Sequence, residues 1–554
     1  MFCPNCGTKL EEGAVFCTNC GTRVEDSASQ AAAKPQEEAS NDSVDAAAEA
    51  EAVNTNIPEE NSQGSQPQNE EAFYQQPEKG KKFLKKNFRG IIGAVAAIVA
   101  VILIVKIVAS LFSGTPDSVI AVYDEENEVS TIYLNSKKVA DVDGEAGIYY
   151  NMDKSAFYIL DGEDTAYYLK GKKLQKVMSG CQEIIIANHD EAALLVDEDD
   201  VLSRYNGSKL EEISDEEVAA AAISGDGKNY AYTIYDDDYE SVTYIGSKPG
   251  KETKVKDVVG ILMSENGDYL YGSDDEYNLV SVSKKGETTT LGKDIDNLVG
   301  LNEDGTEIMF VSDGKTYVSV KGKEKVKVSG GEVMLVTGKE SDSVLTNYFY
   351  PVKTFKKTVA YVSDDGDYDI CLLSGKYEAE KIVGGVSTIC GVNDDASKVY
   401  YIDGSDLYYA KVKKDAKGKE LAGDVSGSSV WMSDDCKDIY YVDDDGRLCY
   451  IKGTGKGKTV DDDLEMDSYS MSYVIDGALY TRIDEELYYV KGRKAKALKD
   501  VEGIQFDASS DRVYAYDDDK AYEVKKGKMK KLKGDFESID TITVKSYGLF
   551  GYDY

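Results

Sequence analysis

From about Pro116 onward, apolar and polar positions alternate in short runs, and clusters of Asp, Asn, Gly and Lys separate the runs. Alternation with a period of two predicts half-buried antiparallel strands, and Asp-Gly or Asn-Gly supplies the positive φ that tight hairpins need. Aligning the chain on itself recovers a unit of roughly 36–40 residues. Clear copies begin at SGDGKNYAY (Ser224), SENGDYLYG (Ser264), NEDGTEIMF (Asn302), NDDASKVYY (Asn393), SDDCKDIYY (Ser433) and DASSDRVYA (Asp507). Weaker copies centre on Met152, His189 and Tyr473, and a longer, irregular unit lies near residues 333–385.

Residues 428–460 show the unit in full: SSVWM, SDDCKD, IYYV, DDDG, RLCYIK, GTGKG, KTV. Four runs joined by three turns predict a four-stranded antiparallel sheet, which is the pattern of a β-propeller blade. The chain resembles the propeller superfamily in period and strand order, without WD dipeptides or Kelch glycines. That resemblance implies an architecture and no ligand. The expected class is mainly β, with about eleven units over residues 115–554. Single propellers typically have about four to eight blades, so two rings in tandem are expected, with one large ring or an open array as alternatives. The first unit, residues 117–146, lacks an inner strand. The C-terminal SIDTITV from Ser538 is expected to supply it and close the structure.

The alternation stops upstream of this body. From Gly90 to Phe112 the chain reads GIIGAVAAIVAVILIVKIVASLF, with Lys106 as its one charge. A helix of that length, at ~1.5 Å per residue, crosses a hydrocarbon core about 30 Å thick. It lies too far along the chain for a cleaved signal peptide and predicts an uncleaved signal-anchor. Lys81, Lys82, Lys85, Lys86 and Arg89 precede it, in a basic juxtamembrane segment 79–89, and no base follows it in SGTPDSV. The excess of bases marks the cytoplasmic side, so the N-terminus is expected inside the cell and the body outside, at the cell membrane. Gly93 and Ala97 form a small-xxx-small pair, a hint of a homodimer through this helix.

The first residues read MFCPNCGTKLEEGAVFCTNCG. Cys3 and Cys6 stand two residues apart, as do Cys17 and Cys20, and each CxxCG turn can present two thiolates to one point. In a reducing cytoplasm the repeated spacing favours one tetrahedral zinc ion over disulfides. With all four ligands from the protein, no position remains for water, so the zinc is expected to be structural. The CPNCG and CTNCG motifs resemble the minimal zinc-ribbon family, over residues 1–24. A ribbon at the cytoplasmic tip of a single-span protein also resembles a class of Gram-positive bacterial envelope proteins. That resemblance implies a structural or protein-binding ribbon, with the work done outside. Between ribbon and span, residues 25–78 hold thirteen acids, the single base Lys34 and four prolines, a composition that predicts a disordered acidic linker.

Charge and composition narrow the function. The chain of 554 residues carries 64 bases against 102 acids, for a net charge of −38, which argues against nucleic acid as a partner. One histidine, His189, removes most His-dependent catalysis; in ANHDEAA it reads as a turn residue. Asp236-Asp237-Asp238, Asp364-Asp365-Gly366-Asp367 and Asp443-Asp444-Asp445-Gly446 do not match an EF-hand loop and read first as hairpin turns, with rim calcium as the alternative.

Tyrosine is abundant at 41 residues, often in pairs such as Tyr400-Tyr401 and Tyr440-Tyr441. One ring of each pair is expected between blades and the other at an edge or surface. Cys181, Cys371, Cys390, Cys436 and Cys449 are expected as free, buried apolar groups, with Cys449 opposite Val442 in its hairpin. The function expected is non-enzymatic: a single-pass membrane protein whose outer propeller binds a protein, peptide or cell-envelope polymer. The alternatives are a carbohydrate-active hydrolase, marked by two carboxylates facing across the central opening, and a structural spacer without a ligand.

Overall fold

A computed structural model describes residues 118–323, 325–328, 331–337, 353–364, 367–393, 395–461, 464–466, 471–507, 510–544 and 546–547. The zinc-ribbon cysteines, the linker, the basic segment and the apolar stretch 90–112 lie outside them. No helix among the described residues is long and apolar enough to cross a membrane.

Among the described residues the strands form eleven sheets, wound in chain order and antiparallel throughout save for the short C-terminal strand Ser546–Tyr547, which pairs parallel with Gly147–Tyr150. Blade 1 holds Val119–Asp124, Val129–Leu134 and Lys137–Asp143. Blades 2 to 6 follow at 147–178, 181–214, 218–256, 258–292 and 295–327. Blades 7 to 11 occupy 332–384, 388–422, 425–459, 472–500 and 503–531. The expected strand order holds in every one. The fourth strand of blade 1 is Ile539–Val544, which pairs with Val119–Asp124 in the position that the first strand takes elsewhere. The C-terminal segment therefore closes the array as the sequence led one to expect.

Closure makes one ring of eleven blades, and the two tandem rings are corrected. Eleven apolar clusters fill the interfaces, and each joins one blade to the next in sequence. The cluster between blades 11 and 1 buries Tyr514, Ala521 and Leu532 against Ile120, Val122, Tyr133 and Ile542. A second ring would need another strand exchanged between distant units. Among the described residues, no sheet but that of blade 1 and its neighbour blade 2, which adds the short C-terminal strand Ser546–Tyr547, contains one. Polar bonds fasten the same seam: Ser118 Oγ donates to Asp507 Oδ2 at 2.9 Å, and Asp124 accepts from the amides of Glu537 and Ser538.

Each sheet is covered on both faces, which explains the tyrosine pairs. Tyr400 packs toward blade 9 and Tyr401 toward blade 7, and both are buried; Tyr440 and Tyr441 divide in the same way. Neighbouring rings do point to opposite sides of the strand, but in these two pairs each side meets another blade and neither ring reaches the surface, whereas in Tyr167-Tyr168 one ring is buried and the other half-buried. Blade 7 is the irregular unit. The chain between its first two strands is pinned by buried Glu307, whose carboxylate accepts from Thr354 Oγ1, the Phe355 amide and the Tyr377 hydroxyl.

Candidate binding face

Antiparallel winding fixes which turns share a face. The first and third turns of every blade lie on one side of the ring, and the second turns and blade-to-blade links lie on the other. Acids hold or flank every second turn, and the bases there are Arg447 and, at the edges of the turns of blades 6 and 11, Lys315 and Lys520.

Five of these second turns use one device. Asp161, Asp197, Asp236, Asp274 and Asp443 each accept, through Oδ1, the amide four residues on. The residue three on bonds back to the aspartate carbonyl and adopts a left-handed φ: Asp164 (57°), Asp200 (58°), Tyr239 (62°), Tyr277 (59°) and Gly446 (80°). This is a three-residue hairpin whose last position favours Gly, because a Cβ crowds the backbone there. Blades 4 and 5, which are neighbours, place tyrosine at that position. Both rings stand in water, Tyr239 88% and Tyr277 84% exposed, with Tyr235 exposed at the rim of the same turn. Two aromatic rings held against both backbone preference and the tendency to bury apolar surface define a candidate contact face. Asp236, Asp237, Asp238, Glu240, Asp275 and Glu276 share their two turns.

The Asp443–Gly446 run behaves as a turn. Asp443, Asp444 and Asp445 come close enough to share a cation. The Arg447 guanidinium already meets Asp443 at 3.0 Å and Asp445 at 2.5 Å, so the charge is answered within the loop. In the Asp364–Asp367 run, Asp365 and Gly366 lie outside the described residues.

His189 sits in the first turn of blade 3, where the sequence placed it. Its Nδ1 meets Asp153 of blade 2 at 2.9 Å, and its Nε2 lies 3.6 Å from Glu265 of blade 5. Glu265 reaches across blade 4 because Gly225 has no side chain: a Cβ there would fall 1.7 Å from the carboxylate and 3.2 Å from the Glu265 Cα. Backbone bonds from His189 to Gly225, Asp226 to Glu265 and Glu265 to Asp304 tie these turns together. Burial raises the Glu265 carboxyl above its usual range, and Asp226, Asp153 and Asp304 add to this while His189 opposes it. Asp153 and Glu265 could not be read as its neighbours from sequence, since each belongs to another blade.

None of the five body cysteines forms a disulfide, and all but Cys390 are buried. Burial pushes the Cys371 thiol up to about 11 and that of Cys181 to about 12, which keeps them protonated and unreactive. Cys449 faces Tyr441 rather than Val442. The loop Asp444–Gly446 has three residues, not two, and shifts the register by one.

Residues 2–24 match the zinc-ribbon domain family, so the chain joins an N-terminal zinc-ribbon domain to an eleven-bladed propeller. Cys3, Cys6, Cys17 and Cys20 all fall within the match. Four thiolates are the donor set of a closed, structural zinc site and fit that metal. No curated protein matches the chain. Among solved structures, the tricorn protease is similar to 77% of this chain at 11% identity and a TM-score of 0.22. The chain covers 57% of the length of that one.

Proposed function

We propose that this is a single-span cell-membrane protein with a structural zinc ribbon in the cytoplasm and a non-enzymatic binding propeller outside. The apolar stretch 90–112 and the bases before it support the span and its direction. The observation that carries the binding role is the pair Tyr239 and Tyr277, exposed on adjacent blades in strained turns. A tyrosine ring can stack on a sugar or an apolar side chain while its hydroxyl hydrogen-bonds, and the carboxylates around it favour ligands with basic groups. Envelope glycans bearing free amines and basic peptides have that chemistry.

The test is a binding titration of the full chain against amino-sugar glycan strands and basic peptides, repeated with Tyr239→Ala/Tyr277→Ala. A loss of about ten-fold or more in affinity supports this face, in line with the weight aromatic anchors carry at interfaces. Unchanged affinity in the double variant overturns it.

A further inference from the structure

The two faces of the ring carry opposite charge at their edges. Every third turn but that of blade 1 carries Lys or Arg, and in blade 1 Lys137 and Lys138 follow directly. These turns lie on the face opposite the acidic second turns and circle the first turns, where Asp153, Asp226, Glu265 and Asp304 stand nearer the centre. A body with a large excess of acid therefore gathers many of its lysines at one rim.

The chain also reaches the ring on that face. Val119–Asp124 takes the second position in blade 1, so it starts at the side of the first and third turns. Ser118 confirms the placement: its amide donates to Asn135 Oδ1 at 3.1 Å and its carbonyl accepts from the Asn135 amide at 3.0 Å, within the third turn of blade 1. Around this point lie Lys137 and Lys138 of blade 1, Lys170, Lys172 and Lys173 of blade 2, and Lys525, Lys526 and Lys528 of blade 11. Lys137, Lys138, Lys170, Lys172, Lys173, Lys525, Lys526 and Lys528 are all exposed. Five residues separate Ser118 from the end of the 90–112 stretch, a tether of at most about 20 Å when fully extended.

We infer that this lysine rim is a docking surface for anionic phospholipid headgroups, and that the ring lies on the membrane with its acidic, tyrosine-bearing face turned outward. The inference rests on the reading of 90–112 as a span. A short tether holds the lysines beside the surface, where attraction to lipid phosphate is strong within a Debye length of about 8 Å. The opposite orientation would press the acidic turns against like charge. Some rim lysines are answered by acids, as Lys284 is by Asp268 at 2.6 Å, Lys138 by Asp141 at 2.8 Å and Lys526 by Asp476 at 3.8 Å, but Lys137, Lys172, Lys173, Lys525 and Lys528 around Ser118 form no ion pair among the described residues.

The experiment uses the full chain inserted in vesicles of phosphatidylcholine, with or without phosphatidylglycerol, and an impermeant amine-acylating reagent read residue by residue by mass spectrometry. The anionic vesicles are expected to slow acylation of Lys137, Lys172, Lys526 and Lys528 by about three-fold or more, and high salt to restore it. Lys315 and Lys520, at the second turns of blades 6 and 11, should react alike in both. The triple variant Lys172→Glu/Lys526→Glu/Lys528→Glu should lose the protection of Lys137. Equal rates in both vesicles would overturn the inference. So would protection that appears only when a soluble glycerol-phosphate polymer is added, which would make the rim a polymer site. Release of the chain by alkaline carbonate would overturn the span reading and this inference with it; a retained chain with uniform acylation would overturn the inference alone.

Discussion

Glu183 lies on the first strand of blade 3, beside a register shift, and its Oε1 is buried without a hydrogen-bond partner. Burial pushes its carboxyl up to about 7 from an ordinary 4.5. The folded state thus binds the proton more tightly than the unfolded chain. The stability this gives is complete below pH about 4.5 and is lost as pH rises through 7. Glu183→Gln keeps the neutral form at every pH. It should stabilise the protein by about 2–3 kcal/mol at pH 8, with the difference closing toward pH 4, in denaturant titrations at the two pH values. Tyr239 and Tyr277 give a second test at this scale. Replacing both with Gly relieves the left-handed strain and should leave stability unchanged or raised by up to about 1 kcal/mol, while binding falls. A loss of both together would make the tyrosines structural. Such residues were only partly legible. His189 could be placed in a turn because the turn pattern is local, whereas its partners come from other blades. Tyr239 and Tyr277 were hidden among the chain's other tyrosines, and the signal that separates them is the five-residue frame DxxYx, which aligns with the frame ending in Gly446-Arg447.

Strands and their order were legible because period-two alternation and Asp-Gly turns are written within a few residues. The closing strand was legible for a related reason: blade 1 lacks a first strand, and SIDTITV has no unit of its own. Register was less so, since Cys449 turned on whether one hairpin loop holds two residues or three. Ending the chain at residue 537 removes Ile539–Val544 and bares the edge of Val119–Asp124, together with Ile539 and Ile542 from the seam. The shortened protein should unfold at a lower temperature and aggregate on standing, as exposed edges pair with other chains. Calorimetry and light scattering on the two lengths check this; equal behaviour would mean that the ring holds without its last strand.

The count of about eleven units was readable, but their arrangement in one ring was not. Ring size depends on the small rotation between neighbouring blades, set by side-chain volumes across eleven interfaces, and no local pattern encodes that angle. The sorting of charge to two faces follows from turn position and was open to reading once the strand order was known. At the N-terminus, zinc should set the fold of the ribbon. Metal analysis should return one zinc per ribbon, and chelation or Cys17→Ser should unfold residues 1–24 while the propeller's unfolding transition stays in place. The account as a whole depends on the propeller and the ribbon lying on opposite sides of a membrane. Protease added to intact cells tests this most directly. The account predicts that the propeller is cut or released while a fragment carrying Cys3 to Cys20 stays protected; a protected propeller with an accessible ribbon would contradict it.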